Sequence, residues 1–212
     1  MKPYEIYNYK GFNINVFQDN NENNCDQDYL NDDEAFIVYD HRQFDVRVSG
    51  FDPEQIYIHC REKKQWFYDG YYVFPLYAYI HSGVALSLKN SNYPFTCNFD
   101  TSFSGFVLIK QVKGWSYRRK KAEKIAESVV EEWNDALSGN VWGYTITYNP
   151  IEVINDEDDK PEFDEEIDSC WGFYGDHWEE DSQMVKECKS IIDHRIAENP
   201  EKYAIKQLQL DL

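Results

Sequence analysis

Short runs of aromatic, β-branched and other apolar residues, separated by turn residues, recur through the first half of the chain. Two such runs, at 4–9 and 12–17, flank Lys10-Gly11, a pair typical of the tight turn between antiparallel strands. The same pattern predicts strands at 35–39, 55–60, 71–80, 84–88 and 105–111. The stretch 19–33 is rich in Asn and Asp and predicts a loop. We therefore expect a β-rich region over residues 1–116.

The period changes to 3.6 in two later segments. Apolar residues three or four positions apart between Ile125 and Leu137 predict a helix over about 117–138, with Gly139 as its stop. The same spacing after Ser182, a typical N-cap residue, predicts a second helix over about 182–198. The first helix begins with Arg118–Lys121, whose positive charges oppose the helix dipole.

Strand character returns between the two helices. Residues 141–148 and 167–174 predict an antiparallel pair, so 141–176 is expected to be a hairpin with a long acidic loop. Together these elements predict an α+β fold, mainly antiparallel sheet with two amphipathic helices. The length of 212 residues fits a single domain over 1–212.

Composition and charge indicate a folded acidic protein and disfavour two classes of ligand. The chain has 39 Asp and Glu against 21 Lys and Arg, a formal net charge of −18. Its 42% hydrophobic and 17% aromatic residues supply enough apolar surface for a folded core, unlike a disordered acidic chain. Direct binding to nucleic acid or to anionic lipid is disfavoured, because both require a positive face.

The charge is concentrated rather than uniform. Residues 152–181 hold fourteen Asp and Glu and one Lys. A calcium loop is not indicated, since no candidate loop has the required ligand spacing or glycine. Either this segment is a solvated hairpin loop, or it presents carboxylates to a basic partner protein. In the second case the candidate partner-binding residues form an acidic strip: Asp156, Glu157, Asp158, Asp159, Glu162, Asp164, Glu165 and Glu166.

Cysteine usage and targeting signals favour the cytoplasm. The five cysteines are odd in number and widely spaced, without a C-x-x-C pair, which favours reduced thiols: Cys25, Cys60, Cys97, Cys170 and Cys188. No signal peptide is recognisable, and the longest apolar run, 71–80, is too short to cross a bilayer. Zinc-binding and phosphate-binding motifs are also missing from the sequence, so we expect no cofactor and no metal.

One set of residues suggests catalysis instead. His81-Ser82-Gly83 forms a predicted turn in which a histidine lies beside a hydroxyl, and Asp100 or Cys170 would complete a nucleophilic set. Adjacent side chains of a strand point to opposite sides, which argues against a direct His81–Ser82 pair. A small hydrolase or nucleotide-degrading enzyme using His81, Asp100 and Cys170 is therefore the alternative function.

Four blocks of residues, in this order, resemble a known family. They are 74–83, ending in Tyr79-Ile80-His81-Ser82-Gly83; 95–107; 137–144, with Val141-Trp142-Gly143-Tyr144; and 168–175, which reads Asp-Ser-Cys-Trp-Gly-Phe-Tyr-Gly. This pattern is similar to that of small uncharacterised proteins of bacteriophages and mobile elements. The chain departs from it at Asn98-Phe99, where a Trp is more usual, and in its long acidic insertion. The family has no settled activity, so the resemblance implies a genomic setting rather than a mechanism.

The negative charge and the resemblance to phage and mobile-element proteins together indicate the expected function. A phage-encoded acidic protein of a bacterial cytoplasm is expected to act in counter-defence, by binding and inhibiting a basic host protein that handles nucleic acid. A CRISPR effector or a restriction nuclease is such a protein. A third possibility is a virion or accessory protein whose acidity serves only solubility.

Overall fold

The computed structural model describes residues 2–20, 30–88, 94–95, 100–112, 118–148 and 165–203. Their strands are β1 Glu5–Tyr9, β2 Phe12–Gln18, β3 Ala35–His41, β4 Phe44–Val46, β5 Phe67–Tyr68, β6 Tyr71–Ile80, β7 Val84–Leu88, β8 Thr101–Lys110, β9 Val141–Tyr148 and β10 Glu165–Tyr174. The helices are α1 Pro53–Lys63, α2 Arg118–Ser138 and α3 Gln183–Glu198. All strand pairs are antiparallel, so the α+β fold predicted from the sequence is confirmed.

The chain divides into two compact units. Unit 1 comprises residues 1–20 and 140–212, and unit 2 comprises residues 21–139. Unit 2 is thus inserted into the connection between β2 and β9, which are neighbouring strands of unit 1. The sequence predicted one domain over 1–212. This division does not test that prediction, because two compact units can still fold as one cooperative domain.

Unit 1 is a four-stranded sheet in the order β1-β2-β9-β10, with α3 on one face. The covered face carries the buried residues Phe12, Ile14, Val16, Tyr144, Ile146 and Tyr148, which pack with Met184, Val185, Cys188 and Ile192 of α3. Ser182 caps α3, as predicted, by accepting a hydrogen bond from the Val185 N–H at 3.3 Å. The predicted hairpin around Lys10-Gly11 is also present, with Gly11 at φ +83°.

Unit 2 is a sheet in the order β4-β3-β8-β6-β5, with β7 paired to β6. On one face, Phe36, Phe106 and Leu108 pack with Ile56 and Cys60 of α1. The alternate residues Ile37, Val107 and Ile109 are buried on the other face. Helix α2 contacts β3, β6, β7 and β8, and its Arg119 lies 4.7 Å from the ring of Phe74 on that second face. The sheet is therefore enclosed between two helices.

One predicted element is wrong. Residues 55–60 were expected to form a strand, but they lie within helix α1. Asp52 caps this helix by accepting a hydrogen bond from the Gln55 N–H at 3.0 Å, and Pro53 occupies its first turn. Ile56 and Cys60, one turn apart, form its buried side. The predicted loop at 19–33 falls largely outside the described residues. Among the helices of the described part, none is long and apolar enough to cross a membrane.

Candidate interaction surfaces and the His81 cleft

The acidic strip belongs to unit 1 and comprises residues of the β9–β10 connection and the first two residues of β10. Of its eight carboxylates, the structure describes Glu165 and Glu166, and the other six lie outside the described residues. Glu165 pairs with Tyr148 in the sheet and forms an ion pair with Lys202 at 2.7 Å. Glu166 accepts a hydrogen bond from the Ser169 hydroxyl at 3.1 Å. Tyr148 and Glu165, the described residues on either side of 149–164, are therefore paired in the sheet.

The two units differ in charge. Unit 1 has 21 Asp and Glu against 8 Lys and Arg, a net charge of −13. Unit 2 is longer but has 18 against 13, a net charge of −5. Several cations of unit 1 already form ion pairs within it, among them Lys10 with Asp193 and Lys189 with Glu180. The excess of carboxylates makes unit 1 the acidic part of the molecule.

A second group of carboxylates in unit 1 surrounds Tyr7. The Tyr7 hydroxyl donates to the Trp178 carbonyl at 2.9 Å, and burial is the main cause that raises its pKa. Glu5, Glu180, Glu179 and Asp181 each raise the pKa of Tyr7 further, because their negative charges disfavour a phenolate. Unit 1 therefore carries negative charge around Tyr7 in addition to that of the acidic strip.

The face of the unit 1 sheet opposite α3 forms a polar surface, which we call the outer face. Strand register places its residues in three rows: Phe17, Gly143 and Trp171; Ile6, Asn15, Thr145 and Ser169; and Asn8, Asn13, Thr147 and Glu166. The Asn15 amide donates to the hydroxyls of Thr145 at 3.3 Å and Thr147 at 3.2 Å. Trp171 lies at one end of this face and is 44% exposed.

The α3 side of the same sheet holds two cysteines and a buried acid–phenol contact. The Tyr144 hydroxyl donates to Asp168 Oδ2 at 2.7 Å, and burial together with this bond raises the pKa of Tyr144. Burial also raises the pKa of the Cys188 thiol to about 12, with Asp168 adding to the shift. Cys188 is therefore protonated at neutral pH and is a poor nucleophile. Cys170 is exposed at the edge strand β10.

The predicted catalytic residues are only partly brought together. His81 and Asp100 line one cleft of about 320 Å³ in unit 2, together with His41, Arg42, Gln43, Ile80, Thr101 and Ser102. The Ile80 N–H donates to the Asp100 carbonyl at 2.8 Å, which fixes the backbone at the mouth of the β6–β7 turn. Cys170 belongs to β10 of unit 1. The three-residue set that a cysteine hydrolase requires thus stays a prediction.

Unit 2 also presents an exposed aromatic row that the sequence did not single out. Phe103 lies 6.0 Å from Tyr57 and 5.1 Å from Tyr77 between ring centroids, and Phe106 links it to Trp66. Arg119 of α2 donates to the Trp66 carbonyl at 3.1 Å. A sequence pattern does not reveal this row, because its members come from α1, the following loop, β6 and β8.

Within the described part of the chain, no group of three or more His, Cys, Asp or Glu is placed to hold a metal ion. Comparison of the chain with protein-family models, with curated proteins and with solved structures gave no match. The resemblance to phage and mobile-element proteins therefore stays a prediction from the sequence blocks alone.

Proposed function

We propose that the protein binds a basic protein that handles nucleic acid, and that the acidic surface of unit 1 makes the contact. The observation that carries this proposal is the unequal division of charge, −13 in unit 1 against −5 in the longer unit 2. A nucleic-acid-binding surface is rich in Lys and Arg. A protein surface dense in carboxylates is attracted to it and competes with the nucleic acid.

The described contacts bear on one end of the acidic strip, Glu165 and Glu166. The Glu165–Tyr148 pair and the Glu165–Lys202 ion pair tie the base of the acidic strip to the sheet and to the residues after α3. The carboxylates around Tyr7 extend the negative field along the same unit.

Counter-defence is the biological setting that we propose for this binding. The target would be a host defence nuclease, such as a CRISPR effector or a restriction endonuclease, in the cytoplasm of a bacterium. The support is the resemblance of the sequence blocks to phage and mobile-element proteins, combined with the charge of unit 1. Inhibition then needs no chemical step, because occupying the nucleic-acid site is sufficient.

A nuclease panel tests the proposal directly. Purified restriction endonucleases and CRISPR effector nucleases would be assayed for plasmid cleavage with and without the protein, at several NaCl concentrations. We expect at least one nuclease to be inhibited, with inhibition that weakens as salt is added, since exposed charges are screened beyond about 8 Å at physiological ionic strength. Replacing the eight acidic strip residues by Asn and Gln should abolish the effect.

The matched control neutralises eight carboxylates of unit 2: Glu34, Asp40, Glu54, Glu62, Asp69, Glu123, Glu131 and Glu132. This variant has the same net charge as the strip variant and should still inhibit. Equal inhibition by the wild type and the strip variant would refute a role for the strip, and the absence of any inhibited nuclease would refute the proposal of counter-defence by nuclease inhibition.

One observation favours the alternative function, a small hydrolase or nucleotide-degrading enzyme. His81 and Asp100 line the same cleft, where a histidine base and a carboxylate are the side chains that such chemistry uses. Turnover of nucleotides or activated esters that is lost in both His81→Ala and Asp100→Asn would support it. Cys170→Ala then shows whether the thiol takes part. Turnover that persists in the His81 variant would exclude this cleft.

A further inference from the structure

Trp171 lies on the outer face, where a glycine of the neighbouring strand leaves space for its indole ring. A Cβ added at Gly143 would lie 2.2 Å from Trp171 Cε3 and 2.6 Å from Cδ2, so the indole rests directly on the Gly143 backbone. Phe17, the neighbour of Gly143 in the same row, lies 5.6 Å from the indole between ring centroids. Any residue other than glycine at 143 would displace the ring.

The backbone of β10 is also adapted to Trp171. The register of β10 on β9 shifts between Trp171 and Phe173, and Gly172 between them has φ +83°, a conformation that favours glycine. Irregularities of this kind re-aim a side chain relative to its strand. Phe173 resumes on the α3 side of the sheet, whereas Trp171 lies on the outer face.

A tryptophan held in this way and still 44% exposed is a typical anchor for a partner. The middle of the outer face is less suited to anchoring a partner, because the Asn15 amide already donates hydrogen bonds to Thr145 and Thr147. Glu166, at the far end of the same face, adds a carboxylate. The outer face therefore combines one aromatic platform with one carboxylate of the acidic strip, Glu166.

We propose that Trp171 is the point at which an arginine of the basic partner stacks on this protein. This inference rests on the proposed function, since it assumes a basic partner for unit 1. A cation is attracted to the face of an indole, and tryptophan is the best of the aromatic side chains for this contact. Arginine is favoured over lysine because its guanidinium is planar, weakly hydrated and able to stack.

Two synthetic peptides of equal charge, nona-arginine and nona-lysine, separate this contact from the general attraction of charges. Binding of each to the full-length protein would be measured by isothermal titration calorimetry at low salt. We expect nona-arginine to bind the wild type more tightly than nona-lysine. Trp171→Ala should weaken nona-arginine about two- to fivefold, the range of an exposed cation–π contact, and should weaken nona-lysine less, because an ammonium does not stack on the ring as a guanidinium does.

Two variants control this experiment. Trp66→Ala removes a tryptophan of similar exposure, 37%, from unit 2 and should change neither affinity. Trp171→Phe keeps an aromatic ring and should retain part of the preference for arginine, with unfolding curves showing that each variant is folded. If Trp171→Ala keeps the full preference while both peptides still bind, the role of Trp171 is refuted and the acidic surface stands. If neither peptide binds the wild type, the proposed function fails and this inference fails with it.

Discussion

Gly105 lies in β8 at a point where β3 leaves no space for a side chain. A Cβ at this position would lie 2.3 Å from both Tyr39 Cδ2 and the Val38 carbonyl oxygen. We expect Gly105→Ala to lower the free energy of unfolding by about 2–3 kcal/mol, because backbone atoms of β3 must move to make room. Urea denaturation measures this change. Gly83→Ala is the control, since nothing lies within 4 Å of its Cβ, and equal losses in the two variants would contradict this account.

The buried thiol of Cys188 should make the stability of the protein fall in alkali. Its pKa is raised by burial to about 12 in the folded protein, from an ordinary value of 9.0. A raised pKa contributes stability that is complete below pH 9 and is lost as pH rises toward 12, because the unfolded chain releases the proton first. Between pH 8 and pH 10.5, this thiol should remove about 2 kcal/mol of stability.

Cys188→Ala isolates that contribution. The substitution leaves a cavity and should cost stability at both pH values, but the loss between them should be about 2 kcal/mol smaller than in the wild type. Buried Tyr144 also has a raised pKa, to which Cys188 contributes, so the comparison measures the effect of Cys188 together with its influence on Tyr144. Parallel pH profiles for the two proteins would show that Cys188 does not titrate in this way.

At the level of elements, the sequence predicts a helix correctly where the helical spacing of apolar residues is long and regular. Helices α2 and α3 lie within about one residue of their predicted limits, because sixteen or more residues repeat the helical spacing. Helix α1 was missed because its eleven residues include the β-branched Ile56 and Ile58, which resemble a strand. The signal that identifies it was present in Asp52-Pro53-Glu54, which supplies a cap, a first-turn proline and a first-turn acid.

Asn134 of α2 completes the outer edge of strand β7. Its side chain accepts a hydrogen bond from the Leu86 N–H at 2.7 Å and donates to the Leu86 carbonyl at 3.0 Å. It thus occupies the hydrogen-bonding groups that another strand would otherwise use. Side chains that satisfy an edge in this way protect a sheet from pairing with other chains.

We expect Asn134→Ala to destabilise the protein by about 1–2 kcal/mol, because both Leu86 groups lose their partner. Free edge groups should also promote self-association, which analytical ultracentrifugation would detect. Asn134→Asp keeps the acceptor for the Leu86 N–H but places a carboxylate against the Leu86 carbonyl, so it should be no better than alanine. A monomeric Asn134→Ala protein of wild-type stability would contradict this role.

At the level of the whole molecule, the net negative charge of unit 1 lowers the stability of the folded protein. Like charges at this density repel one another in the compact state, and salt screens that repulsion. We expect the melting temperature to rise when NaCl is increased from about 10 mM to about 200 mM. The rise should be smaller in a Glu179→Gln/Asp181→Asn variant, which loses two charges near Tyr7. A Glu123→Gln/Glu131→Gln variant in unit 2 should respond like the wild type, and a salt-independent melting temperature would oppose this view.

The sequence could not reveal which strands pair over long distances. Both β2 and β9 were predicted, but an alternating pattern says which face of a strand is buried and not which strand lies beside it. The same limit applies to the candidate sites. The pattern identified the acidic strip and the turn at His81. It did not identify the packing of Trp171 on Gly143, because these two residues are distant in sequence and adjacent only in the folded sheet.

The insertion of unit 2 between β2 and β9 has a consequence for the order of folding during synthesis. Asn15 and its partner Thr145 are 130 residues apart, so β2 leaves the ribosome long before its neighbouring strand is made. Unit 2 is continuous in sequence and can fold as it emerges. Once unit 2 is compact, the loop that pairing of β2 with β9 must close is effectively shorter, which lowers the loop-closure entropy of that step. The acidic unit is therefore completed last, on a chain whose larger part is already folded.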